Sequence, residues 1–179
     1  FTAESSRDYL VNLFSGFDSE LADMVARAFD EAWIDFYPRS GKTGGAFCSG
    51  VNAMQESRVL TNFDGQFGDV VTLAHELGHA FHNQCIRDHR VLNHDYSMPL
   101  AETASTFNEC IIMNAAIKAA RDDGERLALI ESQLQDVTQV ICDIYSRYRF
   151  ETMVFEKRKE EFLHSGALCE LMTEAQKRS

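Results

Sequence analysis

The stretch Val70-Val-Thr-Leu-Ala-His-Glu-Leu-Gly-His-Ala-Phe-His82 contains the pattern His-Glu-x-x-His. If this stretch is helical, His75 and His79 lie one above the other on one face, where both imidazoles can reach a single metal ion. Glu76 then lies about a quarter-turn away, where a carboxylate can take a proton from a water molecule. The pattern therefore predicts a helix that carries two metal ligands and a general base. The alternative is a pair of ordinary hydrogen-bonded histidines on an amphipathic helix.

The residues around this pattern indicate how the helix begins and packs. Asp69 is placed to cap the start of the helix, just before its apolar residues. Gly78 costs about 1 kcal/mol relative to alanine inside a helix. We therefore expect a close neighbour at Gly78, such as a strand or a substrate.

The composition predicts a mainly helical, acidic protein. The chain of 179 residues has 45% hydrophobic residues, thirteen Phe and only two Pro, which suits one helical domain with a core. Its net charge is −11 and no Lys/Arg stripe is present, so nucleic acid is not an expected partner. No apolar run has membrane-spanning length and no signal peptide begins the chain, so we expect no membrane partner.

The five cysteines are odd in number and widely spaced, and no Cys-x-x-Cys occurs. This pattern predicts free, mostly buried thiols in a reducing, cytoplasmic environment. It argues against both a disulfide framework and a thiolate zinc site. The five are Cys48, Cys85, Cys110, Cys142 and Cys169.

Hydrophobic periodicity predicts a mainly α fold with a small β-hairpin or sheet beside the metal-binding helix. Residues 125–162 are expected to form one long helix or two helices joined by a kink. The predicted helices cover residues 4–14, 18–36, 70–82, 99–120, 125–162 and 167–177, and the predicted strands cover 46–51 and 58–62.

A catalytic zinc site commonly has three protein ligands and an open fourth position, so the two histidines need a partner. Glu102 lies early in the next predicted helix, and Glu109 follows seven residues later on nearly the same face. Two carboxylates on the inner face of an apolar helix need compensation, which a cation supplies. We therefore predict His75, His79 and Glu102 as zinc ligands.

Two further residues have open interpretations. Glu109 is assigned to orienting a ligand histidine through its other ring N–H, but it could instead pair with an arginine or cap the helix. His82 follows His79 by three residues and could approach the same face. We favour a supporting or surface position for His82.

Three stretches together resemble the thimet oligopeptidase/oligoendopeptidase F family of zinc metallopeptidases. The third is closer to the oligoendopeptidase F branch. The stretches are FYPRSGKTGGAFC at 36–48, HELGHAFH at 75–82 and ETASTFNE at 102–109.

The resemblance implies one Zn²⁺ per chain, held by His75, His79 and Glu102, with Glu76 as the catalytic base. It also implies endopeptidase activity on short unstructured oligopeptides. An extended substrate would pair with the backbone of residues Gly44, Gly45, Ala46 and Phe47. A non-catalytic zinc- or peptide-binding helical module is the alternative.

The same resemblance predicts that the chain is a fragment. The family carries a His and tyrosines nearer its C-terminus that stabilise the oxyanion, and residues 144–151 resemble the helix that precedes them. Removing such a donor costs roughly 10² to 10³ in rate. We therefore expect residues 1–179 to be the metal-binding part of a peptidase catalytic domain, with weak or no activity alone.

Overall fold

The computed structural model describes residues 1–179 as two compact units, Phe1–Ala119 and Ala120–Ser179. The predicted mainly helical fold with a small sheet is confirmed. The first unit contains helices α1 (Ala3–Ser15), α2 (Ser19–Asp30), α3 (Phe67–Ile86) and α4 (Met98–Ala119), and strands β1 (Ile34–Asp35), β2 (Phe47–Val51) and β3 (Glu56–Leu60). The second contains α5 (Asp123–Thr138), α6 (Tyr145–Lys157) and α7 (Ser165–Lys177).

The predicted second helix ends six residues early, at Asp30. Ala32 has a φ of 55°, a left-handed conformation that stops the helix. Ile34 and Asp35 then pair in parallel with β3. The prediction of a helix to residue 36 was therefore wrong, because apolar residues at helical spacing here also supply a buried strand.

The sheet has the order β1-β3-β2, with β2 antiparallel to β3. The predicted hairpin is confirmed, with Phe47 opposite Leu60 and Val51 opposite Glu56. Because β2 lies at the edge, one row of its backbone N–H and C=O groups has no partner strand. This edge lies on the part of the chain predicted to bind a peptide.

Helix α3 is confirmed and is longer than predicted. Its N-cap is Gln66, so the prediction of Asp69 as the cap was wrong. Asp69 lies in the first turn, and its Oδ2 accepts hydrogen bonds from the backbone N–H groups of Gln66 and Asp64, each at 2.9 Å. The carboxylate thus satisfies backbone donors at the helix start from inside the first turn.

Helices α3 and α4 pack closely against each other at Gly78. A Cβ atom at Gly78 would lie 2.7 Å from the Ala104 carbonyl oxygen and 2.8 Å from Ser105 Cα. The close neighbour predicted at Gly78 therefore exists, but it is a helix and neither a strand nor a substrate.

The five cysteines are unpaired, and four of them are exposed. The prediction of mostly buried thiols was wrong, because these four occupy solvent-facing positions on helical segments. Only Cys48, in β2, is partly buried.

In the second unit, helical structure runs from α5 through a π-helical segment, Gln139–Ile144, into α6. Apolar side chains on this run are exposed, including Leu127 at 66% and Ile141 at 64%. None of the helices in the structure is both long enough and apolar enough to span a bilayer.

Candidate metal centre

Helix α3 presents three functional side chains within a little more than one turn. His75 and His79 lie one turn apart on the same side of the helix, and their ring centroids are 4.9 Å apart. Glu76 is buried, with 6% of its surface exposed. The apolar side of α3, formed by Val70 and Leu73 among others, anchors the helix in the core. The ligand spacing therefore rests on a rigid element.

Helix α4 brings Glu102 to the two histidines. Glu102 Oε2 lies 3.3 Å from His75 Nε2 and 3.6 Å from His79 Nε2. The potential ligand atoms of all three residues lie within 4.8 Å of one another. The structure therefore gathers the three predicted ligands around one point, although Glu102 is remote from the histidines in sequence.

The three residues fit a zinc ion. A tetrahedral ion with ligand bonds of 2.0–2.1 Å separates its ligand atoms by about 3.3 Å. The distances from Glu102 to the two imidazoles, 3.3 and 3.6 Å, are close to that separation. Two imidazole nitrogens and one carboxylate oxygen also form a donor set that zinc accepts readily.

Glu109 contacts the other side of the His75 ring. Its Oε1 lies 2.5 Å from His75 Nδ1, which leaves Nε2 facing Glu102. A hydrogen bond at Nδ1 sets both the orientation of an imidazole and the nitrogen that remains free to bind a metal. Of the two interpretations left open for Glu109, the structure shows the contact with a histidine ring.

Two residues at this interface were missed by sequence reasoning. Ser105 donates a hydrogen bond of 2.9 Å to Glu102 Oε2, and the buried Asn108 donates one of 3.1 Å to the Ala74 carbonyl. The hydrogen bond from Ser105 holds the Glu102 carboxylate in place, and the one from Asn108 holds α4 against α3. The only signal for them in the sequence is their position three and six residues after Glu102 along one helical face.

The surroundings shift the ionisation of the three α3 residues. The hydrogen bond to Glu109 raises the pKa of His75, and burial opposes this change. Burial lowers the pKa of His79, assisted by the nearby His75. Burial also raises the pKa of Glu76, which His75 partly counteracts. His79 is thus favoured in the neutral form that binds metals.

His82 is not part of the three-residue cluster. Its ring stacks on Tyr96 with a centroid distance of 4.3 Å, and its buried Nδ1 has no hydrogen-bond partner. Packing against Tyr96 therefore accounts for its position better than support of a ligand does.

The predicted peptide-contacting residues lie where the chain enters β2. Gly44 and Gly45 are exposed, Ala46 is partly buried, and Phe47 begins the strand with 48% of its surface exposed. The next residue, Cys48, is close enough to Glu76 for the carboxylate to help raise its pKa, although burial is the main cause. Strand β2 also packs against α3, the helix that carries the candidate base.

Comparisons with known proteins give matches to one family of peptidases. A model of peptidase family M3 matches residues 11–177. Oligoendopeptidase F (chromosomal) of Lactococcus lactis subsp. cremoris is 33% identical over 92% of this chain and 30% of its own length. Oligopeptidase PepF of Bacillus subtilis is 27% identical over 89% of this chain and 24% of its own length.

Two crystal structures have the same fold. A Bacillus anthracis protein proposed to be an oligoendopeptidase F superposes with a TM-score of 0.84 at 18% identity, covering 99% of this chain and 32% of that one. A Chlamydophila abortus protein proposed to be a peptidase superposes with a TM-score of 0.78 at 25% identity, covering 99% of this chain and 30% of that one. The chain thus spans about a third or less of these relatives. It belongs to peptidase family M3, with oligoendopeptidases F among its relatives.

Proposed function

We propose that residues 1–179 form the metal-binding part of a zinc endopeptidase that cleaves short, unstructured oligopeptides. The observation that carries this proposal is the cluster of His75, His79 and Glu102, whose spacing suits zinc, beside the buried carboxylate of Glu76. The names of the relatives support a peptide substrate.

In this proposal, His75 and His79 bind the ion through Nε2, and Glu102 binds it through its carboxylate. When bound, zinc lowers the pKa of a coordinated water to about 7 and polarises the carbonyl of the bond to be cut. Glu109 accepts the hydrogen of His75 Nδ1, so Nε2 keeps its lone pair for the ion.

Glu76 is the general base. It follows His75 directly on α3, so its carboxylate lies beside the ligands without belonging to the cluster. It would take a proton from the attacking water and pass it to the leaving amine. Its burial keeps bulk water away from this transfer.

The substrate would bind in an extended conformation along β2. An edge strand offers unpaired backbone groups, so a peptide can add to it with little dependence on its side chains. This mode suits unstructured peptides, because a folded protein seldom offers a free extended strand.

The first test measures zinc. We expect one zinc per chain by mass spectrometry of the native protein, retained in Glu76→Gln and lost in His79→Ala. The Gln variant keeps the shape of Glu76 but cannot act as a base. A chain that binds no zinc, or that keeps it without His79, would contradict the metal assignment.

The second test measures catalysis. We expect the zinc-loaded protein to cleave a quenched fluorescent peptide weakly at most, and the Glu76→Gln variant to lose any such turnover. A phosphinic peptide, which mimics the tetrahedral transition state, should bind at least 10²-fold more tightly than the matching amide peptide. Equal binding of the two peptides, with no effect of the Gln substitution, would indicate a non-catalytic binding module.

A further inference from the structure

The side-chain amide of Asn62 holds two carbonyl groups of the segment that leads into β2. Its Nδ2 lies 3.0 Å from the Thr43 oxygen and 2.9 Å from the Gly45 oxygen. Both amide hydrogens of Asn62 are therefore donated, one to the carbonyl before Gly44 and one to the carbonyl after it. Gly45 adopts a φ of 80°, so this stretch bends and depends on contacts outside itself for its shape.

These two hydrogen bonds determine where the neighbouring N–H groups point. In a trans peptide the N–H points opposite to the C=O of the same unit, and the chain has no cis peptide. Because the carbonyls of Thr43 and Gly45 face Asn62, the N–H groups of Gly44 and Ala46 face away from it. Neither N–H donates to another group of the protein. The segment thus presents two free donors on one side.

Asn62 is itself held firmly. Its neighbours Thr61 and Phe63 are buried, with 2% and 3% exposed. The N–H of Thr61 donates to Asp35 and that of Phe63 donates to Phe36, each at 2.9 Å. Asn62 therefore projects from a backbone that is fixed on both sides, which is what a positioning residue requires.

Lys42 holds the preceding turn in a similar way. Its side chain is only 1% exposed, and its Nζ donates to the Asp35 carbonyl, the Asp35 carboxylate and the Tyr37 carbonyl at 2.9–3.1 Å. All three ammonium hydrogens are thus used. The turn before Thr43 is closed by Lys42, and the stretch after it is held by Asn62.

The two free donors lie close to the candidate catalytic helix. Gly45 and Ala46 lie near α3, because they line a surface cavity together with Thr72 of that helix. Thr72 lies about one turn before Glu76 on the same helix. Strand β2, which follows these donors, packs against α3. A peptide that continued from the donors along the free edge of β2 would therefore run past the helix that carries Glu76.

We propose that Asn62 is a positioning residue for peptide binding: it orients the N–H groups of Gly44 and Ala46 so that they donate to backbone carbonyls of an extended substrate. This inference rests on the proposed peptidase function and adds to it a residue and two defined donors. Asn62 acts through the backbone and does not touch the substrate.

The test measures binding of a fluorescein-labelled nonapeptide of Ala, Gly and Phe to the zinc-loaded Glu76→Gln protein, which leaves the peptide intact. We expect Asn62→Ala to weaken binding about tenfold, roughly 1.4 kcal/mol, with zinc content unchanged. Asn62→Asp has the same shape but no donors and faces two carbonyl oxygens, so it should weaken binding further. The matched control is Asn114→Ala, which removes a comparable amide-to-carbonyl bond on α4 and should bind like the parent.

A series of peptides separates positioning from general destabilisation. In each, one backbone amide is replaced by an alkene, which removes its carbonyl together with its N–H. The parent should lose affinity at the two positions whose carbonyls accept from Gly44 and Ala46, and in Asn62→Ala these two replacements should cost nothing further. Equal binding by Asn62→Ala and the parent, or an unchanged alkene profile, would overturn the inference.

Two further outcomes are distinguishable. If both Asn62 variants fail to fold by circular dichroism, the alkene series on the parent still decides, because a flat profile overturns the inference. If the parent binds neither zinc nor peptide, the proposed function fails and the inference fails with it.

Discussion

Replacing Gly78 by alanine tests whether the tight contact between α3 and α4 forms the metal site. The added Cβ would lie 2.7 Å from the Ala104 oxygen, whereas ordinary contact begins at 3.4 Å. One helix must therefore retreat by about 0.7 Å, since the obstacle is backbone and cannot rotate away.

Two free-energy terms oppose each other in this variant. Alanine gains about 1 kcal/mol over glycine in helix propensity, while overpacking of this kind costs about 1–3 kcal/mol. We expect a net destabilisation of about 1 kcal/mol. The retreat also moves Glu102 away from His75 and His79, by more than the ±0.2 Å that metal–ligand distances tolerate. Zinc affinity should therefore fall about tenfold or more.

The assays are urea unfolding of the metal-free protein and competition for zinc with a coloured chelator. Gly68→Ala is the matched control, because it lies on the same helix and its added Cβ meets nothing within 4 Å. This control should be as stable as the parent, or up to about 1 kcal/mol more stable, with unchanged zinc affinity. If Gly78→Ala behaved like Gly68→Ala in both assays, the argument from close packing would be refuted.

Three further predictions concern single side chains. Glu109→Leu removes the acceptor at His75 Nδ1 and should weaken zinc binding by about 10–100-fold. Glu109→Gln keeps an acceptor and should weaken zinc binding less. Competition with a chelator measures both effects. Hydrogen bonds from Arg39 and then Lys42 lower the pKa of Asp35 from 3.8 to about 2. The contribution of Asp35 to stability is therefore present above pH 3.8 and is lost as pH falls through 2. The difference in unfolding temperature between the parent and Asp35→Asn should narrow over that range. A constant difference would contradict this prediction. Burial raises the pKa of Cys48 to about 12, so iodoacetamide at pH 8 should alkylate it after the four exposed cysteines, as mass spectrometry of digests would show.

Local patterns in the sequence predicted most of the helices and the hairpin. His75 and His79 could be placed on one helical face because a spacing of four residues sets their relative position whatever surrounds the helix. The Asp18 side chain, which accepts the N–H of Leu21 at the start of α2, is another contact that depends on local spacing. The error at residues 31–36 arose where a pairing partner more than twenty residues away, β3, competed with local helical spacing.

The site itself combines local and distant information. Sequence reasoning and family resemblance together pointed to Glu102 and Glu109, and the structure brings both to His75. Ser105 and Asn108 had no comparable signal, since serine and asparagine on a helix are usually solvated. Their roles are visible only once α4 lies against α3.

The sequence by itself determined how the two histidines and the adjacent Glu76 are arranged, because those relations depend only on helix geometry. Tertiary structure alone decided what approaches Gly78, how Glu102 meets the histidines, and which carbonyls Asn62 holds. The physical reason is that these contacts join residues 17 or more positions apart. Such contacts produce no periodic pattern in the sequence, and packing of the folded backbone sets their distances.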